Sequence, residues 1–365
     1  MNKIKVGLVT IIISGAVLAG CGADTNQSEA PVEEVQAETQ TNQPKESAPS
    51  VETTKFFFTA DEGGSISKVN ASTNELVEII EVEGIAHNVQ VSPDGKLLGV
   101  TVVPHGEDSH GEDSHGDHSE KGKALFFDIE TNELIKTVEV GNHPAHFVFT
   151  EDGKYALVTN TEDNNVSIID VDTFSVIDTV ETGKGPHGFR ISADSQKVYI
   201  ANMGEDSISV LNLETMKEES RITVGANPVT TGVTSDGKTM VATLNTENSL
   251  AIVDLESGIV EKVEVGNGPA QVYIDQNDQY AYIANQGTEE NPSNTVTVVD
   301  LTAKKATTTI ETGKGAHGVV TSSDSKRLYV TNMFENTVTV IETEQNEVID
   351  TIKVGKIPNG ISIMN

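Results

Sequence analysis

The 365-residue chain sets 24 Lys and Arg against 56 Asp and Glu, and a formal net charge of −32 repels phosphate backbones, which sets nucleic acid aside as a partner. One cysteine leaves no disulfide framework, so stability has to come from a packed core. The chain also lacks a GxSxG elbow, a CxxCH haem attachment and any paired-carboxylate motif at a recognisable spacing, which leaves no sequence signature of an enzyme.

Residues 1–20, MNKIKVGLVTIIISGAVLAG, hold two lysines, no acid and an apolar run from Val6 to Leu18, the layout of a secretory signal. The stretch leads into Leu18, Ala19, Gly20 and Cys21, a tetrapeptide that resembles the lipobox of bacterial lipoproteins. The resemblance implies cleavage before Cys21, diacylation of its sulfur and anchoring at the extracytoplasmic face of the cell membrane. Residues 21–54 have no aromatic side chain and are rich in Glu, Gln, Thr, Ser and Pro, so they read as an acidic disordered tether. Its mean reach is on the order of 30 Å.

From residue 55 to 365 the chain repeats itself at about 42 residues, and this decides the fold. Strand endings LVTN at 157–160, YIAN at 199–202, ATLN at 242–245, YIAN at 282–285 and YVTN at 329–332 are each followed by an alternating apolar run such as VSIID or VTVIE. Each unit reads as four strands, with turns such as SPDGK and TEDGK between the first two. The expected fold is all-β: a seven-bladed β-propeller with four-stranded blades. Complete units start near 85, 142, 184, 226, 267 and 314, and a seventh is split. Residues 55–83 supply three of its strands and 360–365 the fourth, which leaves no open edge in the ring. The repeat resembles the YVTN family of bacterial propeller proteins, spelled out at Tyr329 to Asn332. No tryptophan is present to support a WD40 assignment.

The histidines converge on one side of this plan. His87, His187 and His317 occupy matching positions at the start of the innermost strand, each seven residues before a turn aspartate: Asp94, Asp194 and Asp324. His143 and His146 sit where the third blade begins. His105, His110, His115 and His118 belong to HGEDSHGEDSHGDHSE, residues 105–120, the loop between the second and third strands of the second blade. The equivalent rim positions read His87, Ala145, His187, Val229, Ala270, His317 and Asn359.

Imidazole with carboxylate is a sound zinc shell, and all nine histidines are candidate metal ligands. Copper is the alternative, because Met203 and Met333 each follow a histidine, His187 and His317, by sixteen residues and thioether suits Cu(I). An exported propeller with an acidic, histidine-rich loop is also similar to propeller-type zinc metallochaperones. That similarity implies capture by the loop, transfer to the rim and a metal-importer binding protein as partner. Two other classes stay open: a non-catalytic scaffold for a cell-wall or cell-surface partner, and a propeller lyase using rim histidines as acid and base. The asparagines at the strand endings (Asn160, Asn202, Asn245, Asn285, Asn332) are expected to be structural, capping the turns that follow.

Overall fold

The structure, a computed structural model, describes residues 54–104 and 121–364. Cys21, nearly all of the tether and the four loop histidines lie outside these residues. Seven four-stranded antiparallel sheets follow one another around a ring. The strands of each blade are lettered a to d from the centre outward. Strands a, each packed on the next, run Ile85–Val91, Pro144–Phe149, Pro186–Ile191, Pro228–Val233, Pro269–Ile274, Ala316–Thr321 and Pro358–Ile363. The last of these pairs with Phe56–Asp61, so blade 1 is built from both ends of the described chain, as expected. It begins two residues earlier than the sequence pattern suggests.

The repeat motifs have specific mechanical roles. In the a–b turns, Ser92, Ser192 and Ser322 donate to Asp94, Asp194 and Asp324, whose carboxylates accept a backbone N–H two residues on. The strand-ending asparagines Asn160, Asn202, Asn285 and Asn332 are fully buried. Their amide groups donate to Ser or Thr hydroxyls of strand c, such as Ser167, Ser209, Thr297 and Thr339. Asn160 and Asn332 also accept the N–H of the connector glycines Gly141 and Gly313. A Cβ on Gly141 would stand 2.6 Å from the Asn160 side chain, which is why the connector carries glycine there. Asn245 departs from the series and donates to Pro269 O instead.

The threonine before the asparagine links blades. Thr159 Oγ1 accepts His146 N–H and donates to His187 O of the next blade; Thr243 does the same for Thr230 N–H and Ala270 O. Thr243 is wholly buried, so Thr243→Val leaves two backbone groups unpaired and should cost about 1–3 kcal/mol in chemical denaturation. The hydrophobic core lies between blades rather than within them. Phe58, Ile66, Val89, Val100 and Leu125 join blades 1 and 2, while Phe57, Tyr329, Val338 and Ile361 close blade 7 onto blade 1. Lys68 is buried at the first of these seams and donates to Ile129 O and Asn132 Oδ1, beneath the Phe56 ring.

Candidate functional site

Register fixes which residues face one another at the channel mouth. The rim expected from sequence is the residue after the strand-a position paired opposite the strand-b asparagine or its Asp61 equivalent, a position held by Pro144, Pro186, Pro269, Ala316 and Pro358, and by Ala86 opposite Val102 on blade 2. His146 stands one residue deeper on blade 3, where its N–H meets Thr159 Oγ1 as Asn88 N–H meets Thr101 Oγ1 on blade 2. Blades 2, 3 and 4 are neighbours, so their histidines meet.

His87 and His187 face each other Nε2 to Nε2 at 3.4 Å. Their ring centroids are 5.5 Å apart, and His146 lies 5.0 Å from His187 and 6.5 Å from His87. The outer nitrogens are anchored. His87 Nδ1 is 2.9 Å from Glu62 Oε1, and His187 Nδ1 donates to Val229 O at 3.2 Å. A carbonyl only accepts, so neutral His187 carries its proton on Nδ1 and presents a bare lone pair at Nε2. His146 is 1% exposed, and neither of its ring nitrogens has a partner. Leaving such a buried group unpaired costs about 1–3 kcal/mol.

Burial and repulsion from neighbouring imidazoles hold His146 and His187 neutral. His187 is pushed down to about 3 by burial, with His87 and His317 adding to it, and His146 lies well below the ordinary histidine range for the same reasons. Burial works against the Glu62 carboxylate, but its hydrogen bond and attraction to His87, with a 2.7 Å bond from Asn359 Nδ2, outweigh that and lower its pKa. Glu62 therefore holds His87 as a carboxylate.

The remaining histidines divide. His143 is exposed at a left-handed backbone position, its ring 6.5 Å from His87 and its Nδ1 3.5 Å from Glu162. His317 is buried, with Nδ1 near Asn359 O and the Gln271 amide, and burial pushes it down to about 4. It reaches the cluster only through Asn359 and Glu62. His105, His110, His115 and His118 are outside the described residues, but the flanks of their segment are not. Val103 pairs with Ile85 two residues before His87, and Gly122 donates to Gly141 O two residues before His143. The segment thus leaves and re-enters the fold beside the cluster.

The sequence pattern missed Glu62. It follows Asp61 at the end of strand b, the same repeat position as Met203 and Met333, and all three donate their backbone N–H to the connector that leads into strand a of their own blade. That equivalence was available as a signal. Met333 is itself buried, its sulfur 3.2 Å from Gln286 Nε2. Among the described residues no three His, Cys, Asp or Glu side chains already stand in complete metal-ligating geometry. The cluster holds two converged donors, with the His146 ring 5.0 Å from His187 and 6.5 Å from His87.

Known proteins share the architecture. No curated protein sequence matches the chain. The solved structure of Kuenenia stuttgartiensis hydrazine synthase is 20% identical with a TM-score of 0.66, covering 76% of this chain and 89% of that one. A functionally unknown protein from Desulfotomaculum acetoxidans is 14% identical with a TM-score of 0.70, covering 85% and 99%. A proposed 6-phosphogluconolactonase from Bacteroides fragilis is 16% identical with a TM-score of 0.68, covering 87% and 100%. At these identities the likeness is one of fold. The family profile described as YNCE-like beta-propeller matches residues 118–279, so the chain is a seven-bladed β-propeller whose middle blades resemble that family.

Proposed function

We propose that this protein is a lipid-anchored, extracytoplasmic propeller that binds a divalent metal, zinc first and copper second, at the His87–His146–His187 cluster. The reading extends to a metallochaperone or metal-acquisition accessory, with an importer's binding protein as its partner. The lipobox-like residues ending at Cys21, the YVTN-like repeat and the histidine-rich run 105–120 support it from sequence.

The observation that carries it is the 3.4 Å approach of two Nε2 atoms whose Nδ1 partners are already fixed. Two ligands at 2.0–2.1 Å from a tetrahedral ion stand about 3.4 Å apart, and their ring centroids about 5 Å apart. A proton on His87 is the other way to reconcile the two lone pairs, but the separation exceeds the usual 2.7–3.2 Å range of such a bond. Neither does it satisfy the two orphaned nitrogens of His146. Glu62 and Val229 O are the kind of outer partners that orient metal-binding imidazoles.

Competition with a chromophoric chelator tests this on the chain lacking residues 105–120. One tight zinc site should remain after the deletion, with fewer weak sites. Loss of all tight binding would place the metal on the loop and leave the rim without the role proposed for it. The Glu62–His87 pair also meets the need of an acid–base enzyme, the second reading. Turnover of a small molecule in chelator-treated protein would favour that reading.

A further inference from the structure

The other mouth of the channel carries a different chemistry. Gln90, Val148, Arg190, Tyr273, Val320 and Ser362, one residue from each of six inner strands, line a cavity of about 140 Å³. A second cavity of about 230 Å³ opens beside it, and Arg190, Tyr273 and Glu151 line both. The seventh strand contributes Gly232 to the lining of the larger cavity.

Arg190 is poorly partnered for such a place. Its one hydrogen bond among the described residues goes from Nη1 to Phe189 O, the carbonyl of its own neighbour, at 3.0 Å. Arg221 by contrast grips Glu218 through two bonds, and Arg327 donates to Ala71 O across a blade seam. Glu151 lines the same cavities, yet among the described residues no carboxylate stands within ion-pairing distance of Arg190. The Tyr273 ring lies 5.9 Å from the guanidinium carbon. Burial lowers the Arg190 pKa without neutralising it, so a cation with free donors faces a cavity walled by Tyr273, Val148 and Val320.

We propose that this mouth binds a small organic carboxylate, its two oxygens on the Arg190 guanidinium and its apolar body against Tyr273 and the valines. A guanidinium fork matches a carboxylate in plane and spacing, whereas a halide or a tetrahedral anion matches only its charge. The cavities suit a free small molecule better than a folded partner. The site is independent of the metal reading, being built from different residues at the opposite end of the channel.

The test is calorimetric titration of the mature chain with benzoate, acetate, chloride and sulfate, followed in parallel by the arginine Nε–H signals in ¹⁵N NMR. Benzoate should bind saturably, more tightly than acetate and well ahead of chloride and sulfate, and shift the Arg190 signal alone. Arg190→Gln should weaken benzoate at least about tenfold, consistent with loss of a charge-assisted bidentate pair. His187→Ala should leave it unchanged. Tyr273→Leu, which keeps the cation, should narrow the preference for benzoate over acetate and keeps the proposal testable if the Arg190 variant fails to fold. No saturable binding, equal binding by Arg190→Gln, or equal competition by chloride would overturn it.

Discussion

Zinc affinity should fall at least a hundredfold in His187→Ala, with circular dichroism and the folded core unchanged. His187 supplies one of the two donors already converged, and its Nδ1 bond to Val229 O holds the ring so that Nε2 faces inward without cost on binding. Removing a ligand from a three-imidazole site removes a metal bond outright, whereas removing an outer partner costs about 10–100-fold. Glu62→Gln should therefore fall in that smaller range, because the amide still reaches His87 but no longer supplies charge. His317→Ala should change affinity little, since its ring is bonded toward Asn359 and Gln271 rather than toward the cluster. This divides a trio that looks equivalent in the repeat.

The second large effect is one of stability. Asp61 stands where blades 3, 4, 6 and 7 carry asparagine, and it is fully buried among Thr59, Ser65 and Ser67 hydroxyls. Burial pushes its pKa up from 3.8 to about 6, although the three hydroxyls and the Gly355 N–H pull the other way. The folded state thus holds this proton more tightly than the unfolded chain. The stabilisation is complete below about pH 4 and is lost as pH rises through 6, a difference of about 3 kcal/mol. Asp61→Asn keeps the repeat's hydrogen-bond pattern and removes the charge. It should match the wild type near pH 3.5 and exceed it by up to about 3 kcal/mol at pH 7.5 in urea denaturation. Equal stability of the two proteins at both pH values would contradict the assignment.

Much of this molecule was legible because its repeat is periodic at two levels. Alternation within strands named the buried faces, and the 42-residue period alone placed His87, His187 and His317 at one rim. The blade count and the split first blade were as expected. What the pattern could not supply was azimuth. Blades 2, 3 and 4 are adjacent, so His87, His146 and His187 meet, while His317 on blade 7 is separated from His87 by the whole of blade 1. Reading the rim as a ring rather than a list would have shown this.

Glu62 was missed because it belongs to the split blade, whose strand b opens the domain without a preceding repeat for comparison. Asp61 in place of the usual asparagine further disguised the position. The asparagines were read correctly as structural, but their reach is longer than a turn cap: they tie strand c and the glycine connector to strand b. Arg190 gave no signal at all, since a lone arginine in a strand says nothing of a channel until the strands are closed into a ring.

The most direct measurement is zinc K-edge X-ray absorption on the protein lacking residues 105–120 and loaded with one equivalent of zinc. The account predicts a first shell dominated by nitrogen at 2.0–2.1 Å with the outer-shell scattering of about three imidazoles. A shell of oxygen alone, or a spectrum unchanged by His187→Ala, would contradict it.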